Sequence, residues 1–552
     1  MKKNTLVILF LLVLTAQGSA QVVYTPADND VYNFLERLML KKVITFHNEV
    51  LPLPRMLIAE KLAEAALNAP QLNETELKQL EWYEEEYAYE LNKIMRSSGH
   101  APMQPFNQRW YLYHYSDSLF RVSAWPVIGY GISSIGGKSG HRRWWGAGFF
   151  GTYGDWFGAS LDLRDNGEYG DNTDRTKAFS PVTGAAIKGA PNGIEYTELA
   201  GAINFSLPGS RKVGSWGSVS IAKEHLNWGH GKMGQLILSS KAPSYPYIRL
   251  DLRPASWFRF YYIHGWLNSL VLDSSKFYYS YPESIAPRLR KAYHSKYIAA
   301  NFLSVTPVEW LDFSLGNSVI YTGDLRPEFF IPFMFFKFLD HNTGRLDVED
   351  SNGQMFFDAL CRLPEKFEFY TTLFIDVTEV RNVLKKDFSN TWYGLTVGGK
   401  KVDLFMDNLD INIEYTRTSP WLYEHKDEVT TYKHLNYPLG DWLGQNADQL
   451  SLQLDYRIMR GLNVGLTVQR IRKGGLKDIA YAYEFMETEP FLYSPLRKET
   501  SLGISASYEW LHDLWGSFEY RYSDISDEDA ARTPEWMIGR KNGLAVVVWW
   551  GM

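Results

Sequence analysis

The stretch LSLQLDYRIMRGLNVGLTVQRIR, residues 450–472, decides the fold, because its apolar residues recur at every second position. Apolar side chains stand at the even positions from 450 to 456, and polar ones stand between them. After a turn at residues 459–461, the same alternation continues through residues 462–469. Successive side chains of a β-strand point to opposite faces of the sheet. The stretch therefore predicts an antiparallel hairpin with one apolar face and one polar face.

The same period of two extends from about residue 105 to the end of the chain. Residues 409–416 and 517–522 show it as clearly as the opening stretch. We predict eighteen strands, near residues 119–126, 145–152, 155–164, 196–206, 216–224, 246–253, 257–266, 295–305, 309–318, 354–362, 366–375, 391–399, 408–417, 447–457, 462–472, 499–510, 514–523 and 542–550. Most are of the length that a tilted strand needs to cross a bilayer.

The lengths of the predicted connections distinguish a membrane barrel from a soluble β-sandwich. Short turns and long loops alternate along the chain, and both chain ends emerge on the short-turn side. Outer-membrane barrels have short periplasmic turns and long outer loops. We therefore predict an all-β transmembrane barrel of about eighteen antiparallel strands, with its apolar face toward lipid. The opposite stripe should line a polar lumen; it contains Asp410, Glu414, Asp455, Arg457, Glu519 and Arg521.

The first hundred residues have a different pattern. Lys2 and Lys3 precede an apolar run and the small residues at 18–20, which predicts a cleaved secretory signal peptide over residues 1–20. Residues 28–97 show helical spacing, and Asn73 is followed three places later by Glu76, as in a capping box. The predicted division is a signal peptide at 1–20, a periplasmic helical region at 21–104, and an outer-membrane barrel at 105–552. The predicted location is the outer membrane of a Gram-negative-type bacterium.

Composition and motifs argue against several functional classes. The 57 Lys and Arg residues do not outnumber the 63 Asp and Glu residues, so a dedicated nucleic-acid binder is disfavoured. The stretch GGKSG, residues 136–140, fails the phosphate-loop pattern, and no GxSxG motif is present. Glu224, His225 and His230 do not have the spacing of a helical zinc site. We predict no enzyme activity, no cofactor and no metal.

Two long predicted loops combine aromatic and charged residues. They span residues 267–294 and 418–446. Sugar rings offer apolar faces to aromatic planes and hydroxyl groups to charged side chains, so such loops suit saccharides. The same aromatic residues would also suit packing of the loops against each other as a lid. The candidate glycan-binding residues are Trp421, Tyr423, Trp442, Tyr278, Tyr279 and Tyr281.

One further stretch, HLNWGHGKMGQLILSSKAPSYPYIRLDL at residues 225–252, resembles the Wzi-type capsule assembly proteins. In that family a Trp-Gly-x-Gly turn leads into a Leu-rich strand with a Ser and then a Pro-containing segment. The matching residues are Trp228, Gly229, Gly231, Leu236, Leu238, Ser239 and Pro243. This chain has His230 where family members often have Pro.

The resemblance implies a small periplasmic helical part before an eighteen-stranded outer-membrane barrel. It also implies a surface lectin that helps to hold capsular polysaccharide on the cell, with its barrel blocked by side chains and loops. The implied partner is an extracellular polysaccharide; the predicted barrel adds contact with outer-membrane lipid, and the charge balance argues against nucleic acid. Two alternatives stay open: a porin or uptake channel, and a scaffold for an export machine with a periplasmic partner docked on the helices at 28–97. The sequence also leaves open whether those helices plug the lumen or lie beneath it.

Overall fold

The computed structural model describes residues 23–97, 109–207, 216–280, 288–337, 351–377, 391–477, 479 and 489–551. Its main body is a closed antiparallel barrel of eighteen long strands. The strands are β1 (Phe120–Ile135), β2 (Lys138–Tyr153), β3 (Phe157–Gly170), β4 (Gly193–Ser206), β5 (Gly217–Glu224), β6 (Tyr245–Ala255), β7 (Phe258–Leu272), β8 (Tyr293–Val308), β9 (Leu311–Thr322), β10 (Ser351–Leu363), β11 (Phe367–Val377), β12 (Trp392–Lys401), β13 (Leu409–Thr418), β14 (Ala447–Met459), β15 (Leu462–Lys473), β16 (Arg497–Leu511), β17 (Leu514–Asp527) and β18 (Gly539–Trp550).

The barrel closes between its last and first strands. β18 pairs with β1 from Gly543 opposite Ile135 to Trp550 opposite Ile128. Closure pairs the backbone groups that a free edge would leave open, as a membrane-spanning sheet requires. The prediction of eighteen antiparallel strands is confirmed.

The predicted length of the first loop, between β1 and β2, is wrong. β1 runs to Ile135 and β2 begins at Lys138, so a tight turn at Gly136 and Gly137 replaces the expected loop over residues 127–144. Both glycines have positive φ, 56° and 84°, which a glycine adopts without a steric penalty. The alternation is hard to read in this hairpin because glycines occupy inward positions. At Gly129, for example, the indole of Trp144 fills the space of a side chain.

A helical region lies at the short-turn end of the barrel. Its helices are α1 (Val31–Leu40), α2 (Arg55–Leu67), α3 (Glu74–Glu86) and α4 (Ala88–Ser97). The predicted capping box is confirmed: Asn73 and Glu76 bond each other's backbone N–H groups. None of the helices in the described residues is long and apolar enough to span a membrane.

The helical region and the barrel share one hydrophobic core. Leu35 and Leu38 of α1 pack with Ile58 of α2 and with the barrel residues Leu360 and Tyr370. The helices therefore dock directly on the barrel. The segment Val50–Leu51, between α1 and α2, pairs with Asn227–Trp228 of the loop after β5.

The two faces of the wall follow the predicted alternation. In β13, Asp410 and Glu414 are 2% and 1% exposed and face inward, whereas Ile413, between them in the pattern, is 47% exposed on the outside. The inward carboxylates meet cations and backbone N–H groups of other segments. The interior of this part of the barrel is thus a packed polar core and not open water.

Candidate functional site

The loop with the family-like turn, residues 225–244, folds into the barrel. Trp228 is fully buried, and its indole stacks on Phe302 of the inner wall with a centroid distance of 5.5 Å and an interplanar angle of 13°. Phe356 meets the same indole edge-on at 6.3 Å. The backbone N–H of Gly229 donates to the carbonyl of Glu49 at 2.8 Å. The turn therefore joins the barrel wall to the helical region.

Charged residues after this turn pair with side chains of the barrel wall and of the helical region. His230 Nδ1 lies 2.5 Å from Asp358 Oδ2 on β10. Lys232 forms an ion pair with Glu36 of α1, and Lys400 of β12 pairs with the same carboxylate at 2.5 Å. Burial alone would raise the pKa of Glu36, but these two ammonium groups outweigh it and lower that pKa well below its usual range. The charges hold the loop, the helix and the wall together.

A second long loop, residues 419–446, closes over the first. The rings of Tyr423 and Tyr432 stack at 5.5 Å, and their hydroxyls donate to the carbonyls of Leu236 and Ile237 at 2.7 and 2.8 Å. The backbone N–H of Ser239 donates to the carbonyl of Leu439 at 2.8 Å. Since both loops turn inward and bond to each other, together they fill this part of the interior.

The inward fold decides where the predicted glycan-binding residues of this loop lie. Trp421 is 3% exposed and lies 6.4 Å from the ring of Trp392, and Tyr423 is fully buried. These two residues pack the loop, which is the second of the two roles that the sequence allowed. Trp442 is 42% exposed and is the member of this set that a ligand can reach without rearrangement of the loop.

Asp441, beside Trp442, is a buried carboxyl with few partners. Its Oδ1 accepts from the backbone N–H of Leu443 at 2.9 Å, and its Oδ2 has no hydrogen-bond partner among the described residues. Burial raises its pKa to about 7. The closed form of this loop therefore becomes less favourable as the carboxyl ionises.

The other candidate residues form an exposed hairpin in the loop after β7. Tyr278–Ser280 pairs with Arg288–Arg290, and Tyr278 and Tyr279 are 63% and 58% exposed. Arg288 and Arg290 are exposed as well, and no described carboxylate lies within ion-pair distance of them. Tyr281 lies outside the described residues. One face of the hairpin carries Tyr278 opposite Arg290 together with Arg288, and the other face carries Tyr279 opposite Leu289.

Buried ion pairs fix the helical region to the short-turn end. Arg37 of α1 pairs with Asp403 and Asp410 of the barrel and with Glu76 of α3, whose Oε1 is 2.9 Å from Arg37 Nε. On the other side, Glu86 pairs with Arg55 and Arg109, each at 2.9 Å, and Arg109 also pairs with Asp513 in the turn between β16 and β17. Burial would raise the pKa of Glu86, but the guanidinium groups of Arg109 and Arg55 lower it to about 2. Removing one partner from such a pair costs about 3–5 kcal/mol.

These long-range pairs are the part of the site that the sequence did not predict. Glu36 and Arg37 stand in an ordinary helical context, and no local pattern indicates their partners on the wall. Within the described residues, no group of three or more His, Cys, Asp and Glu side chains is arranged to hold a metal ion.

Comparisons with known proteins agree with this architecture. The solved structure of the Escherichia coli outer-membrane protein Wzi, described as involved in group 1 capsule assembly and as a carbohydrate-binding β-barrel, is similar to this chain. The TM-score is 0.56 at 12% identity, with 97% of this chain and 100% of that chain covered. No curated protein sequence matches the chain.

Two other solved structures are more distant. OprD of Pseudomonas aeruginosa aligns with a TM-score of 0.40 at 9% identity, covering 78% of this chain and 94% of its own. OccAB2 of Acinetobacter baumannii aligns with a TM-score of 0.40 at 12% identity, covering 77% and 98%. Neither likeness is close enough to support a conclusion about this protein.

The family model of the capsule assembly protein Wzi matches residues 212–535, more than half of the chain, including the Trp228 turn and both inward-folded loops. Together with the closed eighteen-stranded barrel, this places the protein in the outer membrane. The chain belongs to the Wzi family of capsule assembly proteins.

Proposed function

We propose that the protein is a non-enzymatic surface anchor that binds exported capsular or other extracellular polysaccharide and helps to hold it on the cell. The observation that carries this proposal is the exposed hairpin at Tyr278–Ser280 and Arg288–Arg290, on the long-loop end of a capsule-assembly family barrel. The similar Escherichia coli protein is described as carbohydrate-binding, which supports the same ligand class here.

The chemistry of the hairpin suits a polysaccharide. Tyr278 and Tyr279 offer large, rigid, amphipathic rings, which can pack on the apolar faces of sugar rings. Arg288 and Arg290 offer planar groups of donors for hydroxyl or carboxylate oxygens. Each contact is weak, but a polymer presents many repeats to many copies of the protein, so weak sites together retain it. Trp442 adds an exposed aromatic ring on a second loop.

The packed interior favours an anchor over a channel. Trp228 and Tyr423 are fully buried between the two inward loops and the wall. The segment Val50–Leu51 pairs with the first of those loops from the helical side. A pore through this part of the barrel would require these contacts to be broken, whereas an anchor needs only rigid support for its outer loops.

We also propose an orientation for the chain. Residues 1–20 are removed as a signal peptide, and the helical region at 21–104 faces the periplasm below the barrel of residues 105–552. The docking of α1 and α3 at the short-turn end supports this orientation, because short turns face the periplasm in such barrels. The helices could receive a periplasmic partner in that position.

The test is direct binding of polysaccharide purified from the same cells to the full-length protein in detergent micelles. In the double variant Tyr278→Ala/Tyr279→Ala, two aromatic contacts of about 0.7 kcal/mol each are lost, so affinity should fall about tenfold. The matched control is Tyr113→Ala/Tyr115→Ala, an exposed tyrosine pair in a short strand beside the start of β1. Equal affinity of the folded hairpin variant and the wild type would contradict the proposal for this hairpin.

A further inference from the structure

The outer wall of the barrel carries polar side chains where lipid-facing residues are expected. His264 of β7, Asn301 of β8 and Asn317 of β9 point outward, as the apolar residues Leu303 and Leu315 do. All three are buried, with exposures of 0%, 6% and 3%. A polar group that faces hydrocarbon without a hydrogen bond is costly. Their burial means that another part of the chain covers this wall.

The cover is the segment after β9, residues 325–336, which we call the strap. Phe333 of the strap stacks on the outward ring of Phe260 at a centroid distance of 4.2 Å and an angle of 23°. Phe260 stands three positions after Trp257 in the short turn before β7, which corresponds to a height of about 8 Å above that turn. The strap then returns, and the N–H of Phe336 donates to Asn317 Oδ1 at 2.7 Å.

The wall satisfies backbone groups of the strap. The amide of Asn301 donates to the carbonyls of Pro332 and Met334 at 2.9 and 2.7 Å. The hydroxyl of Tyr262 donates to the carbonyl of Phe329 at 2.7 Å. Pro332 has no N–H that would need an acceptor. The outward asparagines thus satisfy backbone hydrogen-bonding groups of the strap, as strand pairing does elsewhere in the barrel.

Apart from the ion pair of Arg326 with Glu328 near its start, the other side of the strap is apolar and exposed. Leu325, Phe330, Ile331 and Phe333 are 47%, 39%, 47% and 64% exposed. The apolar band of an outer-membrane barrel is about 25 Å tall, and Phe333 lies within that height. We infer that the strap is embedded in the membrane as a re-entrant loop, with its exposed side chains against the acyl chains of the bilayer.

Acyl chains suit this surface better than a second protein chain does. Irregular backbone at membrane depth is tolerated where the backbone itself is buried against protein, so that only side chains meet lipid. Here Asn301, Asn317 and Tyr262 of the barrel's own wall bond four backbone groups of the strap, which holds its backbone against the wall. The outward side of residues 330–333 offers hydrocarbon side chains, which match lipid without any directional contact.

Spin labelling of the full chain in phosphatidylcholine vesicles tests the inference. In a Cys361→Ser background, a nitroxide is attached at Phe333→Cys, and its relaxation by oxygen and by a water-soluble nickel chelate is compared. Oxygen should relax it more than nickel does, as for a label at the outward residue Phe357→Cys of β10. A label at Tyr279→Cys is the aqueous control.

Two results would overturn the inference. Relaxation mainly by the nickel chelate would place the strap in water. Low accessibility to both reagents would show that protein, such as a second copy of this chain, covers it. Only the folded fraction, separated by its heat-modifiable gel migration, is measured.

The variant Asn301→Leu tests how the strap is held. Loss of two hydrogen bonds to Pro332 and Met334 should increase the mobility of the label at position 333. The outward Asn542→Leu variant of β18, distant from the strap, should leave the label unchanged. An unchanged label in the folded Asn301→Leu variant would contradict the role assigned to Asn301.

Discussion

Replacing Trp228 with alanine should detach the inward loop from the barrel wall. The indole is 0% exposed and makes no hydrogen bond among the described residues, so the change removes packing alone. Burial of an aromatic side chain removes about 200 Å² from water, which at about 25 cal/mol per Å² corresponds to about 5 kcal/mol. Measured losses for Trp→Ala in cores are about 3–5 kcal/mol.

Two measurements on the purified variant check this prediction. Urea unfolding followed by far-UV circular dichroism should show the loss of stability, and planar-bilayer recording should show current steps that the wild type lacks, because the loop helps to fill the lumen. The control is Trp257→Ala, whose ring is 57% exposed at a short turn and should give a smaller loss and no current. A folded Trp228→Ala protein with wild-type stability and no conductance would refute the reasoning.

Three other perturbations test the packing. Arg37→Met should weaken docking of the helices by about 3–5 kcal/mol, seen as faster proteolysis of residues 23–97, whereas Lys78→Met, which removes an exposed pair with Glu74, should change little. The pKa of Glu86 is about 2 in the folded protein, below its unfolded value, so its contribution to stability is present above about pH 4.5 and is lost toward pH 2. Amide hydrogen exchange of α3 should accelerate as the pH falls through that range. The pKa of Asp441 is raised to about 7 in the folded protein, so the loop is most stable below about pH 4 and loses about 4 kcal/mol of stability as the pH rises to 7. Amide hydrogen exchange in residues 419–446 should therefore become faster as the pH rises, beyond the intrinsic pH dependence of exchange. The variant Asp441→Asn should abolish this effect.

Local periodicity was enough to predict the barrel, because the alternation of apolar and polar residues within each strand shows which side chains face lipid and which face the interior. The alternation in residues 450–469 is a direct consequence of lipid on one side and a polar interior on the other. It failed at the β1–β2 hairpin, where inward glycines such as Gly129 make room for Trp144 and blur the pattern.

Contacts between distant segments could not be read in this way. Trp421 and Tyr423 look like exposed loop aromatics in the sequence, yet the inward fold of residues 225–244 gives them a surface on which to pack. Likewise, in the sequence Asn301 and Asn317 only interrupt an apolar stripe. The structure shows that the strap covers them and bonds to them. Such roles depend on which segments meet, and no spacing rule within one segment encodes that.

The most direct test of the anchor function is the distribution of polysaccharide between cells and medium, with total synthesis held constant. Cells that lack the gene should release polysaccharide that the wild type retains. The wild-type gene should restore retention, and Tyr278→Ala/Tyr279→Ala should restore it only partly at an equal amount of folded barrel. An unchanged distribution in the deletion strain would contradict the proposal that this protein holds polysaccharide on the cell.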